Sequence, residues 1–499
     1  MNWPRVLAAR DVVIPDGPRG RQQRLVVLLI CSSSLFLAYL DSTILNVALP
    51  TIQRDLHASL STLQWVADAY LLVLASVLLL SGSAADRVGR KKLFLLGLAG
   101  FSLGSLLCSL APNVGSLIAL RMLQALGGSM LTPVSLSIVR TVFTDPRERA
   151  QAMGIWSGIF GIAVACGPVV GGILVSTVGW RSVFWVNVPI GLGMLIAARR
   201  YVPESRAPRP RRVDVPGQVL IIVFLSALTY AVIEGPSAGW ASAAILAPFA
   251  VALAALVAFV AVERRQTEPL LDLRFFRSPP FTGASVIAVL AFTVLSGFLF
   301  VVTLYLQQVR GDSPLRAGLS LLPATAVMAI AAPVAGQLTG WRGPRIPLVA
   351  SGLFIVAGAA VLLPLGVDTS YLTLAVAFAL LGAGLGLVNP PVTNSGVSGM
   401  PPAQAGVASA VISSTRQFGN VLGVAVMGAM LASGAAGAAP GAAPGAAGTA
   451  GTSAHDRAFA AATHGPWWLA IACGILIAVV GWFTTSPRAT RIAQAVTAD

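Results

Sequence analysis

Runs of about 20 apolar residues recur along nearly the whole chain, and that recurrence constrains the fold more than any other feature. Of 499 residues, 56% are hydrophobic and only 10% are charged, with a mean hydropathy of +0.82. That balance lies outside the range of water-soluble globular proteins and leaves little room for a folded soluble domain. The expectation is an all-α integral membrane protein in which the helices themselves carry the function.

Length, flanking charge and Gly/Pro punctuation place spans near 25–49, 63–83, 93–111, 115–139, 151–177 and 183–200. Eight more follow near 217–235, 240–262, 281–306, 315–338, 346–366, 371–393, 404–432 and 466–484. Fourteen is even, so both termini fall on one side. Of the 33 Lys and Arg residues, 26 lie in the tails and connections of that side, against five on the other (Arg54, Arg181, Arg310, Arg316, Arg457). This is the positive-inside bias, and it predicts cytoplasmic termini; abundant Ala, Gly and Arg with only two lysines fit a GC-rich genome, so a bacterial inner membrane is expected. The net charge of +15 is therefore read as topology rather than nucleic-acid binding.

The predicted organisation is a cytoplasmic tail (1–24), a six-helix bundle (25–200), a Pro/Arg-rich linker (201–216) and two inserted helices (217–262). A second linker (263–280), a second six-helix bundle (281–484) with a flexible external loop at 434–465, and a tail (485–499) complete it. The halves carry a weak repeat: GSAADRVGRK (82–91) and GQLTGWRGPR (336–345) share two glycines and a terminal base, each between the second and third helix of its set.

Asp41 stands inside the apolar run from Leu25 to Leu49, where a charge is costly. By residue count from the outer helix ends, Asp41, Asp68 and Arg121 fall in one layer roughly 8–12 Å below the external surface. A buried Arg needs a partner, and a carboxylate is the cheapest. Gln124 shares the helix face of Arg121 and is a cavity candidate too, able to add hydrogen bonds there. Two readings stay open, a permanent structural salt bridge or a site that takes up and releases a proton, with Asp68 as secondary carrier or orienting group. Asp68 also lies close enough to the interface to be an ordinary solvated acid. Cavity candidates are Asn46, Trp156, Asn187 and Gln307, with Glu234, expected at an external helix end, and Arg416, which has no nearby acid in sequence.

The stretch Gly82-Ser-Ala-Ala-Asp86-Arg87-Val-Gly89-Arg90-Lys91 allows a tight turn and an Asp86–Arg90 pair four residues apart. It resembles the signature between helices two and three of the major facilitator superfamily, where it acts as a cytoplasmic gate latch; Ala84 replaces the usual Leu. YLDSTILNVALPTIQRDL (39–56) and GIFGIAVACGPVVGGIL (158–174) resemble the first- and fifth-helix motifs of its fourteen-helix drug:proton antiporter family. Gly161, Gly167, Gly171, Gly172 and Pro168 form the antiporter motif, although a plain packing helix has the same small residues and bend. Ala125 departs from the fourth-helix pattern, which has Gly there. The resemblance implies two six-helix bundles plus two inserted helices, and assigns coupling to the first-helix acid and fourth-helix Arg.

No GxxxxGK[ST] exists, since Lys91 and Lys92 are the only lysines and neither follows Gly. HExxH and paired metal ligands are also missing. The four cysteines and three histidines show no ligand spacing. The expected function is cofactor-free, non-enzymatic export of small hydrophobic or amphiphilic compounds, including drugs, antibiotics and dyes, driven by the proton gradient. Expected partners are substrate, protons and the bilayer, with no obligatory protein partner. Dedicated export of one endogenous metabolite, or nutrient import, are the alternatives.

Overall fold

The structure is a computed structural model that describes residues 18–206, 214–266, 271–397, 405–438, 449–486 and 489. Most of both tails, the centres of both linkers and residues 439–448 of the expected external loop lie outside the described residues. Among the described residues every regular element is helical.

The first half contains α1 (Pro18–Leu56), α2 (Leu60–Val88), α3 (Arg90–Ser109), α4 (Val114–Val142) and α5 (Pro146–Thr177). Its sixth span is α6 (Ser182–Trp185) followed after Val186 by α7 (Asn187–Tyr201). The inserted pair is α8 (Val215–Ala238) and α9 (Ala243–Glu263). The second half begins with α10 (Pro279–Leu304), which ends in a π-helical turn at Tyr305–Val309. It continues with α11 (Pro314–Ser320), α12 (Leu322–Arg342), α13 (Arg345–Leu362), α14 (Tyr371–Val397), α15 (Ala405–Ala438), α16 (Thr449–Ala462) and α17 (His464–Thr484). Among the described residues, thirteen helical stretches are long and apolar enough to cross a membrane, and α5, whose apolar part is Gly161–Thr177, makes fourteen.

Helix starts follow local chemistry. Ser59 caps α2 by accepting from the Thr62 amide, and Asn113 with Ser116 forms a reciprocal capping box on α4. Gly89, at φ +117°, ends α2 and lets α3 begin one residue later. Gly343, at φ +79°, ends α12 in the same way, and α13 begins two residues later after Pro344, so both halves place a positive-φ glycine at the turn that the sequence repeat marks.

Of the stretch expected as a flexible loop at 434–465, the described residues are largely helical. Helix α15 runs on to Ala438, and α16 follows, burying Phe459, Ala460 and Ala462. Alanine has the highest helix propensity, and α16 gains a partner by lying against α15.

Burial ranks the helices by position. The α10 span is 78% buried and central, whereas the α9 span is 22% buried and faces outward. Helix α8 wedges against α2 and α15, one from each half. Hydrogen bonds joining the halves cluster at the end opposite the start of α1, hereafter the far end. Gln307 Nε2 donates to Val47 O (2.9 Å), Gln308 Nε2 to Gln53 Oε1 (2.5 Å), the Leu315 amide to Ser176 Oγ (3.2 Å) and Gln64 Nε2 to Ala425 O (3.0 Å). At the near end, the contacts of Gln23 with Tyr201, Arg90 with Thr141 and Lys91 with Arg199 stay within the first half. The molecule is thus clasped at its far end.

Candidate functional site

Five helices of the first half converge on Asp41, which is 1% exposed. Helix α4 brings Arg121, whose Nη1 donates to Asp41 Oδ2 at 2.6 Å and to Gln124 Oε1 at 2.7 Å. The other carboxylate oxygen accepts from Gln124 Nε2 (2.9 Å) and from Asn187 Nδ2 (2.6 Å) at the start of α7. Ser105 of α3 ties these together: its Oγ accepts from Gln124 (3.2 Å) and Asn187 (3.0 Å) and donates to Phe184 O (2.9 Å). Tyr70 of α2 lies under the Arg121 guanidinium, 4.1 Å from ring centroid to Cζ. The node therefore combines an ion pair, a cation–π contact and three neutral donors or acceptors, the arrangement that offsets desolvation of two buried charges.

Close helix contact makes this convergence possible. A Cβ on Gly104 would sit 2.6 Å from Gln124 Cα, and one on Gly191 would sit 2.1 Å from Ser102 Oγ, so glycine lets α3 meet α4 and α7. Gly167 and Gly171 do this for α5 against Thr43 and Ile44 of α1. Gly172 instead faces Leu315 and Pro314 of the second half, and Gly318 approaches the Pro168 carbonyl, so one face of α5 serves the node and the next serves the far-end clasp. Gly161 has only Ala329 Cα at 3.9 Å, an ordinary contact.

A cavity lies between the halves, and Arg121 is the node member on its wall. Tyr39 and Asn46 of α1 line it, and Asn46 also donates to Ser42 O. From the second half come Phe292, Ser296, Gln417 and Asn420, the last three linked by Ser296 Oγ to Asn420 Oδ1 (2.6 Å) and Asn420 Nδ2 to Gln417 Oε1 (2.8 Å). Arg416 is held by Thr393 Oγ1 (2.5 Å), stands 5.8 Å from the Phe292 ring centroid, and lies within electrostatic range of Tyr39.

Several expected positions are corrected. Asn187 is a donor to Asp41 and not a cavity residue, because the break at Val186 turns it into the node. Gln124 likewise bonds Asp41 and Arg121 and does not line the cavity. Gln307 sits in the π-helical turn and bonds α1, making it part of the clasp. Glu234 does not face the cavity; it accepts from Trp65 Nε1 (2.9 Å) and Ser237 Oγ (3.1 Å), joining α8 to α2. Trp156 is half-buried and donates to Ser135 Oγ (3.3 Å). Asp68 is not a solvated interfacial acid: it is 0% exposed, outside the Asp41 node, and neither carboxylate oxygen has a hydrogen-bond partner. Residue count addresses depth along α2 and not the direction in which the helix turns Asp68. Ser105, Tyr70, Gln64, Gln417 and Asn420 were not singled out; only their polarity inside apolar runs marked them.

At the near end, Arg90 Nη2 pairs with Asp86 Oδ1 at 3.0 Å and its Nη1 reaches Thr141 Oγ1 at 2.5 Å. The Lys91 amide donates to Glu204 Oε1 (3.1 Å), and Lys91 Nζ donates to Arg199 O (2.9 Å). A Cβ on Gly89 would stand 2.6 Å from Glu204 Oε1, whereas Gly82 has open space and is not needed for approach. The gate motif thus ties α2, α3 and α4 to the segment after α7. Among the described residues no cluster of His, Cys, Asp or Glu could hold a metal ion.

The model of the Major Facilitator Superfamily matches residues 31–424. The chain is 38% identical over 410 residues to the multidrug resistance protein Stp of Mycobacterium tuberculosis H37Rv, covering 82% of this chain and 76% of that one. It is 40% identical over 420 residues to the tetracenomycin C resistance and export protein of Streptomyces glaucescens, covering 84% and 77%. Among solved structures, a bacterial homologue of the human lysosomal transporter Spinster in an inward-facing, unoccupied conformation superposes with a TM-score of 0.66 at 19% identity, covering 95% of this chain and 98% of that one. Two six-helix bundles clasped around a cavity, an inserted helix pair, the 82–91 turn and these matches lead to one conclusion: the chain belongs to the Major Facilitator Superfamily and is a multi-pass membrane transporter, not an enzyme.

Proposed function

We propose that this chain exports small hydrophobic or amphiphilic compounds, antibiotics among them, in exchange for protons across a bacterial cytoplasmic membrane, with both termini in the cytoplasm. The relatives named for multidrug resistance and antibiotic export support the direction and the substrate class. The basic near-end connections support the orientation. The observation that carries proton coupling is the Asp41–Arg121 pair at 2.6 Å, buried at membrane depth, with Arg121 on the cavity wall.

Alternating access follows from this arrangement. With the far end clasped, substrate enters the cavity from the cytoplasm. The ionised Asp41 holds Arg121, Gln124 and Asn187 in one arrangement. Protonation removes its charge, weakens its hold on Arg121, and leaves a cation free to reorganise at the cavity wall. A proton and a substrate then bias opposite conformations, which is the thermodynamic content of antiport.

The test is dye accumulation in energised cells, with and without a protonophore. Wild type lowers accumulation, the protonophore abolishes the effect, and Asp41→Asn abolishes it while the protein remains in the membrane. Full protonophore-sensitive export by Asp41→Asn would eliminate Asp41 as the coupling group.

A further inference from the structure

Asp68 is a buried acid that the Asp41 node does not use. On α2, Ala67 and Leu71 line the cavity and Tyr70 lies under Arg121, while Gln64 bonds to α15 and Trp65 to α8; helical spacing puts Asp68, four residues after Gln64, on the arc between those two directions. Gln64 Nε2 donates to the Val424 and Ala425 carbonyls of α15 at 3.2 and 3.0 Å. Gly428 makes this possible, since a Cβ there would lie 2.4 Å from Gln64 Nε2. Gln64 therefore closes the α2–α15 seam one turn beyond Asp68, toward the far end.

The lateral side is closed by the inserted helix. Gln218 of α8 donates to Ser76 O of α2, and Glu234 of α8 accepts from Trp65 Nε1 at 2.9 Å. These bonds bracket Asp68 in sequence and fasten α8 to α2, while the same helix packs against α15, so α8 covers the flank of the α2–α15 seam. Charged and titratable groups around Asp68 are few. Helix α8 presents Glu234 and Tyr230, both at Trp65; α15 presents none from Val421 to Met430, with Arg416 beyond; and on α4 Arg121 is engaged with Asp41 across Tyr70.

We infer that Asp68 is a second proton-binding site, separate from the drug cavity, whose occupancy decides whether the far-end seam between α2 and α15 can close. Closing the seam over an ionised carboxylate without a donor buries an uncompensated charge, whereas the neutral acid carries a far smaller penalty. When the far end is open, the carboxylate takes its proton from the water there; the O–H forms, the charge is lost, and Gln64 can dock on α15. The inserted pair gains a purpose: α8 keeps lipid and water from the acid's flank. Only the naming of the far end as the outside rests on the proposed export function.

The experiment needs no substrate. Full-length protein in nanodiscs, with its four native cysteines replaced by alanine, carries spin labels at Ser61→Cys and Ser433→Cys, and distances are measured at about pH 5.5 and about pH 8.5, values that bracket histidine but lie above free carboxylates. An Asp41→Asn background removes the acid of the Arg121 node. In that background the closed-seam population rises as pH falls. Adding Asp68→Asn makes the seam predominantly closed at both pH values, while Asp68→Glu retains the pH response. A response that survives Asp68→Asn, or no response with Asp68 intact, overturns the inference. Failure of the dye assay with this response intact would count against drug export alone.

Discussion

The far-end clasp predicts a sharp difference between two glycine-to-alanine changes. A Cβ on Gly318 would lie 2.1 Å from the Pro168 carbonyl oxygen and 2.8 Å from its carbon, both backbone atoms of a helix in the opposite half. That is about 1 Å inside van der Waals contact, and neither atom can rotate away, so α11 and α5 must separate. Overpacking of this kind costs about 1–3 kcal/mol, here charged only to the clasped state. The clasped-to-open ratio should fall roughly 5- to 150-fold. Gly161→Ala is the control, because its nearest non-local neighbour, Ala329 Cα, is 3.9 Å away. The assay uses a cysteine-free protein carrying Asn46→Cys on the cavity wall, in right-side-out vesicles, with a membrane-impermeant maleimide added outside. Gly318→Ala should label several-fold faster than the parent, and Gly161→Ala at the parent's rate. Equal labelling of Gly318→Ala and parent would show that the α5–α11 contact does not hold the far end shut.

Other outcomes follow from the same geometry. Gly89→Ala forces a Cβ onto a residue at φ +117° and into Glu204, so it should lower both melting temperature and transport, whereas Gly82→Ala should be silent in both. Arg121→Lys loses the shared Nη1 contacts to Asp41 and Gln124; a charge-assisted bond is worth about 1.5–3 kcal/mol, so transport should fall at least about tenfold without loss of protein from the membrane. Arg121→Met leaves Asp41 charged beside two neutral donors and should cost about 3–5 kcal/mol, read as a large drop in melting temperature that Asp41→Asn partly restores in the double variant.

The conformation seen here gives these predictions their direction. Far-end bonds join α1 to the π-helical turn, α5 to α11 and α2 to α15, whereas the near-end motif residues bond within the first half. The 82–91 turn is consequently a brace in this state, organising α2, α3 and the segment containing Glu204.

Sequence alone determined that the chain is a multi-pass helical membrane protein, because a hydrocarbon layer demands about 20 apolar residues per crossing and such runs recur along nearly its whole length. It also isolated Asp41 and Arg121, since two opposite charges at equal depth in a poorly solvating medium call for each other. Glycine at 89 and 343 was legible as turn punctuation, as both backbones have positive φ. Azimuth was not legible. Depth along a helix follows from counting, but the direction a residue faces depends on which neighbours the helix finds, and nearly all-apolar helices show little one-sided pattern to reveal it. Only tertiary structure could therefore bring Asn187, Ser105 and Tyr70 to Asp41 and Arg121, while burying Asp68, in the same predicted layer, outside that node. The same limit hid the role of α8, whose long-range polar bonds to α2 arise from atoms more than 140 residues apart in the chain.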